Sequence, residues 1–524
     1  MHNISWLTGI LLFVGGYYSA LYVIAKFARR AENTSVEDFF YFIIIPAKNE
    51  EKVIYKTVKN CLKLEGNNYR VIVVDDGSTD KTTEIVENIC KNSKKVVLFH
   101  NLPTQSKKGK GAVLNYAFSQ IKLALSTGFV HPFHIKKEIA DKFDKNHIII
   151  GVFDADADPS TNMLSEISKA FSATNADAIQ TTVRISNRAQ SLLSAMQDIE
   201  FLGFSRIVQK ARSVFGSVGL GGNGQFTRLS ALESLGKEPW GNTLTEDLEL
   251  GLRLISKGKK LYFIDSATVE QEGLISLKAL IKQRTRWLQG HFMNWKYIPS
   301  ILTANIPLKT KIDTIIYIVF VSVVFLVGLS VITSVLSIFR LIVLYNSFLA
   351  PFYDKSYLLG TIVLIIYSFA FIPMFVDSVF KFYANEKLPK KLLYIILFAC
   401  YTYVWIPAGI IGLYRLITGK TTWVKTERVN KIYVEASGNQ YSFRERRASP
   451  RLSFHTYIKA NYNEYLFIIN VSKNGMKVLS NNTQIEKGNV IYVKSPLHKS
   501  EKAKVVWTRQ IDKDLIEAGL MLKS

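Results

Sequence analysis

The sequence predicts an α/β domain with a parallel-centred sheet and helices on both faces, together with transmembrane α-helices and a small C-terminal β-barrel. Three observations carry this. Between residues 39 and 156, short runs rich in β-branched and aromatic residues alternate with helix-like stretches, the pattern of a parallel sheet buried on both faces. Apolar stretches of about 20 residues, the length that crosses a bilayer, occur near residue 15 and again between 312 and 417. After residue 470, short segments alternate apolar and polar residues between Asn- and Gly-containing turns, as antiparallel strands do.

The chain has 524 residues, with 66 Lys and Arg against 42 Asp and Glu, a net charge of +24, and 48% apolar residues. At about 150 residues per domain this length holds roughly three units. The apolar content excludes extensive disorder. Cys61, Cys90 and Cys400 are too few and too scattered for a disulfide scaffold or a multi-cysteine zinc site. The basic excess fits anionic lipid, nucleic acid or phosphate-bearing small molecules. Because the charge gathers beside apolar segments, the expectation is lipid and phosphate, with no nucleic acid.

Residues 1–30 are expected to form an uncleaved N-terminal transmembrane helix. The apolar stretch 5–25 is followed by Lys26, Arg29 and Arg30, the reverse of signal-peptide order. Its C-terminal end should therefore be cytoplasmic.

Residues 38–300 read as a cytoplasmic α/β domain. Runs 39–46, 70–76, 95–100 and 147–156 look like buried strands, with helices over 50–64 and 80–92 between them. Ligands bind beyond the carboxyl ends of such strands, and the acids gather there: Asp75 and Asp76 after one run, Asp154, Asp156 and Asp158 after another. Asp154 and Asp156, one residue apart, can direct two hard oxygen ligands around Mg²⁺ or Mn²⁺, which complete their shells with phosphate oxygens. Gly219–Gly224 fits G-x-G-x-x-G, but the sequence beyond it reads as a loop and a helix rather than a βαβ unit, so close backbone approach to a substrate is expected instead. Thr243 and Glu246 have capping-box spacing, which places Asp247 in the first turn of a helix ending near Lys257. Gln283, Arg286 and Trp287 share one helical face at i, i+3 and i+4. An amide, a guanidinium and an indole so placed suit a diphosphate and a stacked sugar; they also suit an amphipathic helix at the membrane surface.

Residues 312–417 are expected to form a transmembrane or interfacial cluster, with apolar stretches at 315–339, 357–376 and 392–414. Lys381, Lys387, Lys390 and Lys391 place the loop between the last two in the cytoplasm, and a basic linker over 418–439 places the tail there as well. Either 392–414 is re-entrant or interfacial around Pro407 and Gly409, or 312–350 crosses twice.

Taken in order, PAKNEE (46–51), VVDDGSTD (73–80) with KGAVLN (110–115), DAD (154–156), TED (245–247) and QRTRW (283–287) resemble the motifs of family 2 inverting glycosyltransferases, in particular the membrane-embedded processive group of cellulose and hyaluronan synthases. The resemblance covers about 40–430, with TTWVKTER (421–428) similar to a cytoplasmic segment of the cellulose-synthase-like proteins. It implies a GT-A-like fold and a hexosyltransferase. Asp75, Asp76, Lys110 and Asp154 would bind the nucleotide sugar, with Asp154 and Asp156 on the metal. Asp247 would be the catalytic base, and Gln283, Arg286 and Trp287 would line the acceptor and diphosphate site. Two departures stand out. GLGGNGQF (219–226) occupies the place of a Cys-containing acceptor motif, and the membrane cluster is short for a polymer channel.

From Arg415 to Arg451 there are nine Lys or Arg against three Glu. Arg446, Arg447 and Arg451, followed 19 residues later by Asn470-x-Ser472-x-x-Gly475, resemble the PilZ domain, a bacterial receptor for cyclic di-GMP. The match covers 440–524. It implies a PilZ-like barrel in which these six residues bind cyclic di-GMP, since the planar guanidinium pairs with phosphate and stacks on guanine.

The resulting expectation is a multi-pass enzyme of the bacterial inner (cytoplasmic) membrane. It would polymerise sugar from a nucleotide-sugar donor onto a growing glycan, with Mg²⁺ or Mn²⁺ as cofactor, cyclic di-GMP as activator and an export partner protein. The alternatives are a non-processive glycolipid transferase and a non-enzymatic cyclic di-GMP receptor.

Overall fold

The computed structural model describes residues 2–28, 35–101, 109–135, 137–322, 336, 339, 372–420, 452–460, 464–472, 475–482, 484–494, 501–512 and 514–522. It divides into two compact units. The first comprises Met1–Asp38, Leu64–Gly66 and Ala157–Val429; the second comprises Phe39–Lys63, Asn67–Asp156 and Asn430–Ser524.

In chain order the elements begin with α1 (His2–Phe27), β1 (Phe40–Ala47), α2 (Ile54–Cys61), β2 (Tyr69–Asp75), α3 (Thr82–Asn92), β3 (Val96–His100), α4 (Lys110–Thr127), α5 (Lys137–Lys142) and β4 (Ile148–Val152). Then come β5 (Asp158–Pro159), α6 (Met163–Thr174), β6 (Ala178–Ile185), α7 (Leu192–Leu202), α8 (Lys210–Ser213), β7 (Gln225–Arg228), α9 (Leu229–Glu233), α10 (Glu246–Ser256) and β8 (Leu261–Gln271). Helices α11 (Leu277–Met293), α12 (Ile298–Thr303), α13 (Leu308–Ser322), α14 (Ile372–Phe382), α15 (Leu388–Tyr401) and α16 (Trp405–Ile417) follow. The last elements are β9 (Leu452–Ala460), β10 (Glu464–Ser472), β11 (Gly475–Ser480), β12 (Val490–Lys494), β13 (Glu501–Asp512) and β14 (Leu515–Leu522).

In the second unit β3, β2, β1 and β4 lie side by side and parallel. Ile43, Ile44 and Ile45 of β1 and Val71–Val74 of β2 are fully buried, which is why these runs carry no polar alternation. The register sets the carboxyl ends level: Ala47 lies opposite Asp75, and Asp75 opposite His100. Helix α4 starts after Gly109 and ends at Gly128, which adopts the left-handed conformation that favours glycine at a C-cap. The C-terminal strands close into an antiparallel barrel in the order β10-β11-β14-β13-β12-β9. Its core is built from alternate residues, among them Ile458 and Ala460 of β9, Leu466 and Ile468 of β10, and Val505 of β13.

In the first unit β6 runs parallel to β8 and antiparallel to β7, and β5 is antiparallel to β8. Beside these strands, α1, α7, α14 and α15 share an apolar cluster that includes Leu21, Met196, Leu202, Phe375 and Phe398. Polar ties lock α1 in place. Tyr17 donates to Asp313 of α13 at 2.8 Å, Lys26 pairs with Asp377 of α14 at 2.6 Å, and Arg212 pairs with Asp313 at 2.8 Å.

Among the described residues one helical stretch, Leu388–Ile417, is long and apolar enough to cross a membrane. It passes through one 3-10 turn at Thr402–Val404. The turn lies just before Pro407, which has no N–H to give the Tyr403 carbonyl. Ile396, Ile410 and Ile417 on this stretch are exposed. Most of 315–339 and 357–376, and the whole of 421–451, lie outside the described residues.

Candidate active site

The candidate residues fall into two groups, one on each unit. On the second unit, Asp75 ends β2 and Asp76 follows it, both buried. The Ser78 amide donates to Asp75 Oδ1 at 3.1 Å, and His100 Nδ1 stands 3.6 Å from Asp75 Oδ2. Burial alone would raise the Asp75 carboxyl, but His100 and Ser78 outweigh it and hold it below the usual range. Asp76 accepts from Asn101 Nδ2 at 2.7 Å and from Lys48 Nζ at 3.1 Å. There burial prevails, helped by the charge of Asp75, and the carboxyl is pushed up. Asn101 directly follows His100, so the end of β3 holds both acids.

Asp154 and Asp156 follow β4. The turn they occupy is clamped from β1, where the Phe153 amide donates to the Ile44 carbonyl at 3.0 Å, and from α2, where Thr57 Oγ1 donates to the Ala155 carbonyl at 2.7 Å. Lys110, the first residue of α4, donates to Asp154 Oδ1 at 2.6 Å. Among the described residues no cluster of three His, Cys, Asp or Glu could hold a metal ion by itself. The two carboxylates nevertheless fit Mg²⁺ or Mn²⁺ chemically, since such ions bind through one or two carboxylates and take their remaining ligands from substrate phosphates and water.

On the first unit, Asp247 sits half-buried in the first turn of α10 and accepts from the Leu248 amide at 2.8 Å. The expected capping box does not form. The helix begins at Glu246 with Thr245 as an N-cap that makes no side-chain capping bond. Glu249, buried one turn further in, reaches back instead and accepts from the Thr243 amide at 2.8 Å. Tyr297 Oη at 2.6 Å and Lys296 Nζ at 2.9 Å complete its shell. Burial would raise Glu249, but these donors hold it below the usual carboxylate range. Asn294, fully buried, donates to Thr245 Oγ1 at 3.0 Å. Sequence reasoning missed Glu249 and Asn294; Asn294, just past the end of α11, also donates to the Gly290 carbonyl at 3.0 Å.

Helix α11 carries Gln283, Arg286 and Trp287, each half-buried. The buried guanidinium of the motif is Arg284. It donates to Glu200 Oε2 at 2.6 Å and to Gln283 Oε1 at 2.7 Å, and lies 4.0 Å from the centroid of the Trp287 ring. Tyr401 and Trp405 also donate to Glu200, at 2.6 and 2.9 Å. Arg284 therefore orients Gln283 and Trp287. Helix α16 packs closely along α11, where a Cβ on Gly412 would stand 3.2 Å from the Thr285 carbonyl oxygen.

The segment 219–224 leads into strand β7 rather than a helix, which excludes a dinucleotide turn. Two buried glutamines fix it. Gln209 exchanges hydrogen bonds with Gly219 N and O at 2.9 Å each, and Gln180 accepts from Gly221 N at 2.8 Å and donates to the Asn223 carbonyl at 2.8 Å.

Of the expected cyclic di-GMP contacts, Arg446, Arg447 and Arg451 lie outside the described residues. Asn470 flanks an irregularity in β10, and Ser472 donates to the Gly475 carbonyl at 3.1 Å. A Cβ on Gly475 would stand 2.6 Å from the Leu520 carbonyl oxygen.

Residues 40–290 match the family described as glycosyltransferase-like family 2. The β-monoglucosyldiacylglycerol synthase of Nostoc is 33% identical over 260 residues, covering 49% of this chain and 50% of that protein. The chain spans about half the length of such synthases. A probable glycosyltransferase of Bacillus subtilis, YdaM, is 27% identical over 404 residues, 74% of this chain and 87% of its own. Among solved structures, a mannosyltransferase of Pyrobaculum calidifontis in complex with GDP-mannose and Mn²⁺ aligns with a TM-score of 0.46 at 14% identity, covering 80% of this chain and 99% of that one. Over residues 40–290, just under half of its length, the chain is thus similar to family 2 glycosyltransferases.

Proposed function

We propose that the chain is an inverting hexosyltransferase that moves a sugar from a nucleotide-sugar donor to a hydroxyl of a membrane lipid, leaving a β-linked glycolipid. The observation that carries the acceptor assignment is the close packing of α11, bearing Gln283, Arg286 and Trp287, along α16, whose exposed side chains include Ile410 and Ile417. An acceptor helix backed by an apolar, membrane-facing helix suits a lipid substrate. The 33% identity to a β-monoglucosyldiacylglycerol synthase agrees.

In this reading Asp75 and Asp76 hold the nucleoside, and Lys110 neutralises charge at Asp154 and the diphosphate. Asp247 takes the proton of the acceptor hydroxyl as that oxygen bonds to the sugar C1. The bond from C1 to the diphosphate breaks on the opposite face, and the nucleoside diphosphate leaves with the bonding electrons. Arg286 offers positive charge to that leaving group. Mg²⁺ or Mn²⁺ held by Asp154 and Asp156 would add Lewis-acid stabilisation of the diphosphate. The location is the bacterial inner membrane, with 38–300 and 440–524 as cytoplasmic domains joined by the linker 418–439 and with membrane helices at 1–30 and within 312–417. The C-terminal barrel is assigned as a cyclic di-GMP receptor on the strength of Arg446, Arg447, Arg451, Asn470, Ser472 and Gly475.

A second reading, processive synthesis of an exported polysaccharide, is favoured by the Gln283–Arg286–Trp287 spacing. The similarity to the poly-β-1,6-N-acetyl-D-glucosamine synthase of Staphylococcus epidermidis, 24% identical over 264 residues, points the same way. One experiment separates the two. Purified protein in phospholipid nanodiscs containing diacylglycerol is given UDP-glucose, UDP-N-acetylglucosamine or GDP-mannose, with and without cyclic di-GMP, and the products are weighed by mass spectrometry. A single hexose on lipid is expected. A ladder of products would install the second reading, and no transfer from any donor would defeat both. Asp247→Asn should abolish transfer and leave nucleotide binding intact.

A further inference from the structure

Strands β9 and β10 alternate as barrel strands do, yet their outward face is not polar. Ile458, Ala460, Leu466 and Ile468 face the barrel core. Tyr457 and Phe467, directly opposite each other across the two strands, point the other way, where a solvated barrel would carry polar side chains. Both are buried, because this face is docked on β3 and α4. Phe467 meets the Phe99 ring at 6.2 Å, and Tyr457 meets Phe129 at 5.6 Å and donates to its carbonyl at 2.7 Å. Tyr116 Oη donates to Thr456 Oγ1 at 2.8 Å, and the Tyr457 amide to Gln120 Oε1 at 3.0 Å.

His455 lies two residues before Tyr457, on the same face. Its ring is stacked between Phe467, at 6.0 Å and 8°, and His100, at 5.8 Å and 30°. His100 in turn stands against Asp75. His455 Nδ1 and His100 Nε2 are buried and make no hydrogen bond, so each ring is held by its stacking partners and by what its other nitrogen meets. A continuous row, Phe467–His455–His100–Asp75, thus runs from the outside of the barrel to the carboxyl end of β2. Burial, and the neighbouring His100, push His455 down to about 4, so near neutral pH it packs as an uncharged ring.

We propose that His100 and His455 are positioning residues of the donor site. Through His455 the barrel fixes the His100 imidazole, and His100 fixes the Asp75 carboxylate against the nucleoside. This inference rests on the reading of Asp75 as a nucleotide-binding residue. It makes the barrel a constant part of the donor site, whatever ligand the barrel binds.

The test uses the full chain in nanodiscs and two readouts. The first is amide exchange without nucleotide. The Ser78 amide is bonded to the Asp75 carboxylate, whereas the Asp76 amide is bonded to the Ala47 carbonyl and serves as an internal reference. The second is the Kd for UDP and for GDP. His455→Ala should speed Ser78 exchange about tenfold relative to Asp76 and weaken nucleoside diphosphate binding about tenfold. His455→Phe, which keeps a ring in the stack, should restore both. Tyr457→Phe removes the bond to the Phe129 carbonyl and should lower the melting temperature while leaving both readouts unchanged. Unchanged Ser78 exchange in a folded His455→Ala overturns the proposal even if nucleotide binds. If His455→Ala does not fold, His100→Gln decides on the same readout. Faster Ser78 exchange in His455→Ala, together with a wild type that binds neither UDP nor GDP, would leave the row standing and remove the donor reading.

Discussion

Gly290 of α11 is where the helix carrying the proposed acceptor residues meets the turn that carries Asp247. A Cβ built there would stand 2.6 Å from both Cγ2 and Oγ1 of Thr245. Ordinary contact begins near 3.5 Å, so Gly290→Ala requires the turn or the helix to yield by about 0.9 Å. Thr245 is buried, and its hydroxyl is held by Asn294 at 3.0 Å, so the displacement passes to the backbone two residues before Asp247. A shift of about 1 Å in a reacting group can cost about 100-fold in rate. The opposing effect is helix propensity, since alanine is better than glycine by about 1 kcal/mol inside a helix. The expected result is a melting temperature close to that of the wild type, unchanged nucleoside diphosphate binding, and transfer slowed about 100-fold. Adding Gly290→Ala to Thr245→Ala, where both obstructing atoms are gone, should cost far less than adding it to the wild type. Transfer within twofold of wild type in the single variant would refute the reasoning, because it would mean that Asp247 is not positioned by this contact.

Other perturbations test the same framework. Arg284→Ala strands Glu200 in a buried cluster and should destabilise the protein by about 3–5 kcal/mol in denaturant titration, with Arg284→Lys recovering part of it. His291 is pushed down to about 4 by burial and by the charge of Arg212. From about pH 6.5 to 4 the unfolded chain therefore takes up a proton that the folded one refuses. Stability should be full above that window and fall by no more than about 3 kcal/mol across it, and His291→Gln should flatten that part of the pH profile. Glu249 has the opposite pH signature, since its carboxyl is held below the ordinary value. Its contribution is present above about pH 4.5 and lost as the pH falls through the lowered value, so Glu249→Gln should lower the melting temperature at pH 7 and make progressively less difference as the pH is lowered.

The parallel strands were legible because burial on both faces leaves unbroken apolar runs, as in Ile43–Ile45 and Val71–Val74. The acids at their ends were legible for the same reason, since a polar residue after such a run marks the edge of the sheet. The barrel strands β11 to β14 showed their alternation. Strands β9 and β10 did not, because His455, Tyr457 and Phe467 face outward into a docked surface, and the polar half of the pattern is missing. The support of Asp247 was hidden for a different reason. Spacing alone favoured Glu246 as the reciprocal cap, whereas burial and the donors Tyr297 and Lys296 select Glu249. Within QRTRW, residue type could not tell Arg284 from Arg286. Only the position of Glu200, 84 residues upstream, makes the first of them the buried one.

The docked face of the barrel also bears on how this protein is made. Tyr116 and its partner Thr456 are 340 residues apart in the chain. At about 5–20 residues per second of synthesis, the rings of Phe99, Tyr116 and Phe129 emerge from the ribosome tens of seconds before the strands that cover them. During that interval the sheet bearing Asp75 and Asp76 displays an uncovered aromatic surface while the apolar helices between are already being delivered. A segment made later thus completes the fold of one made earlier.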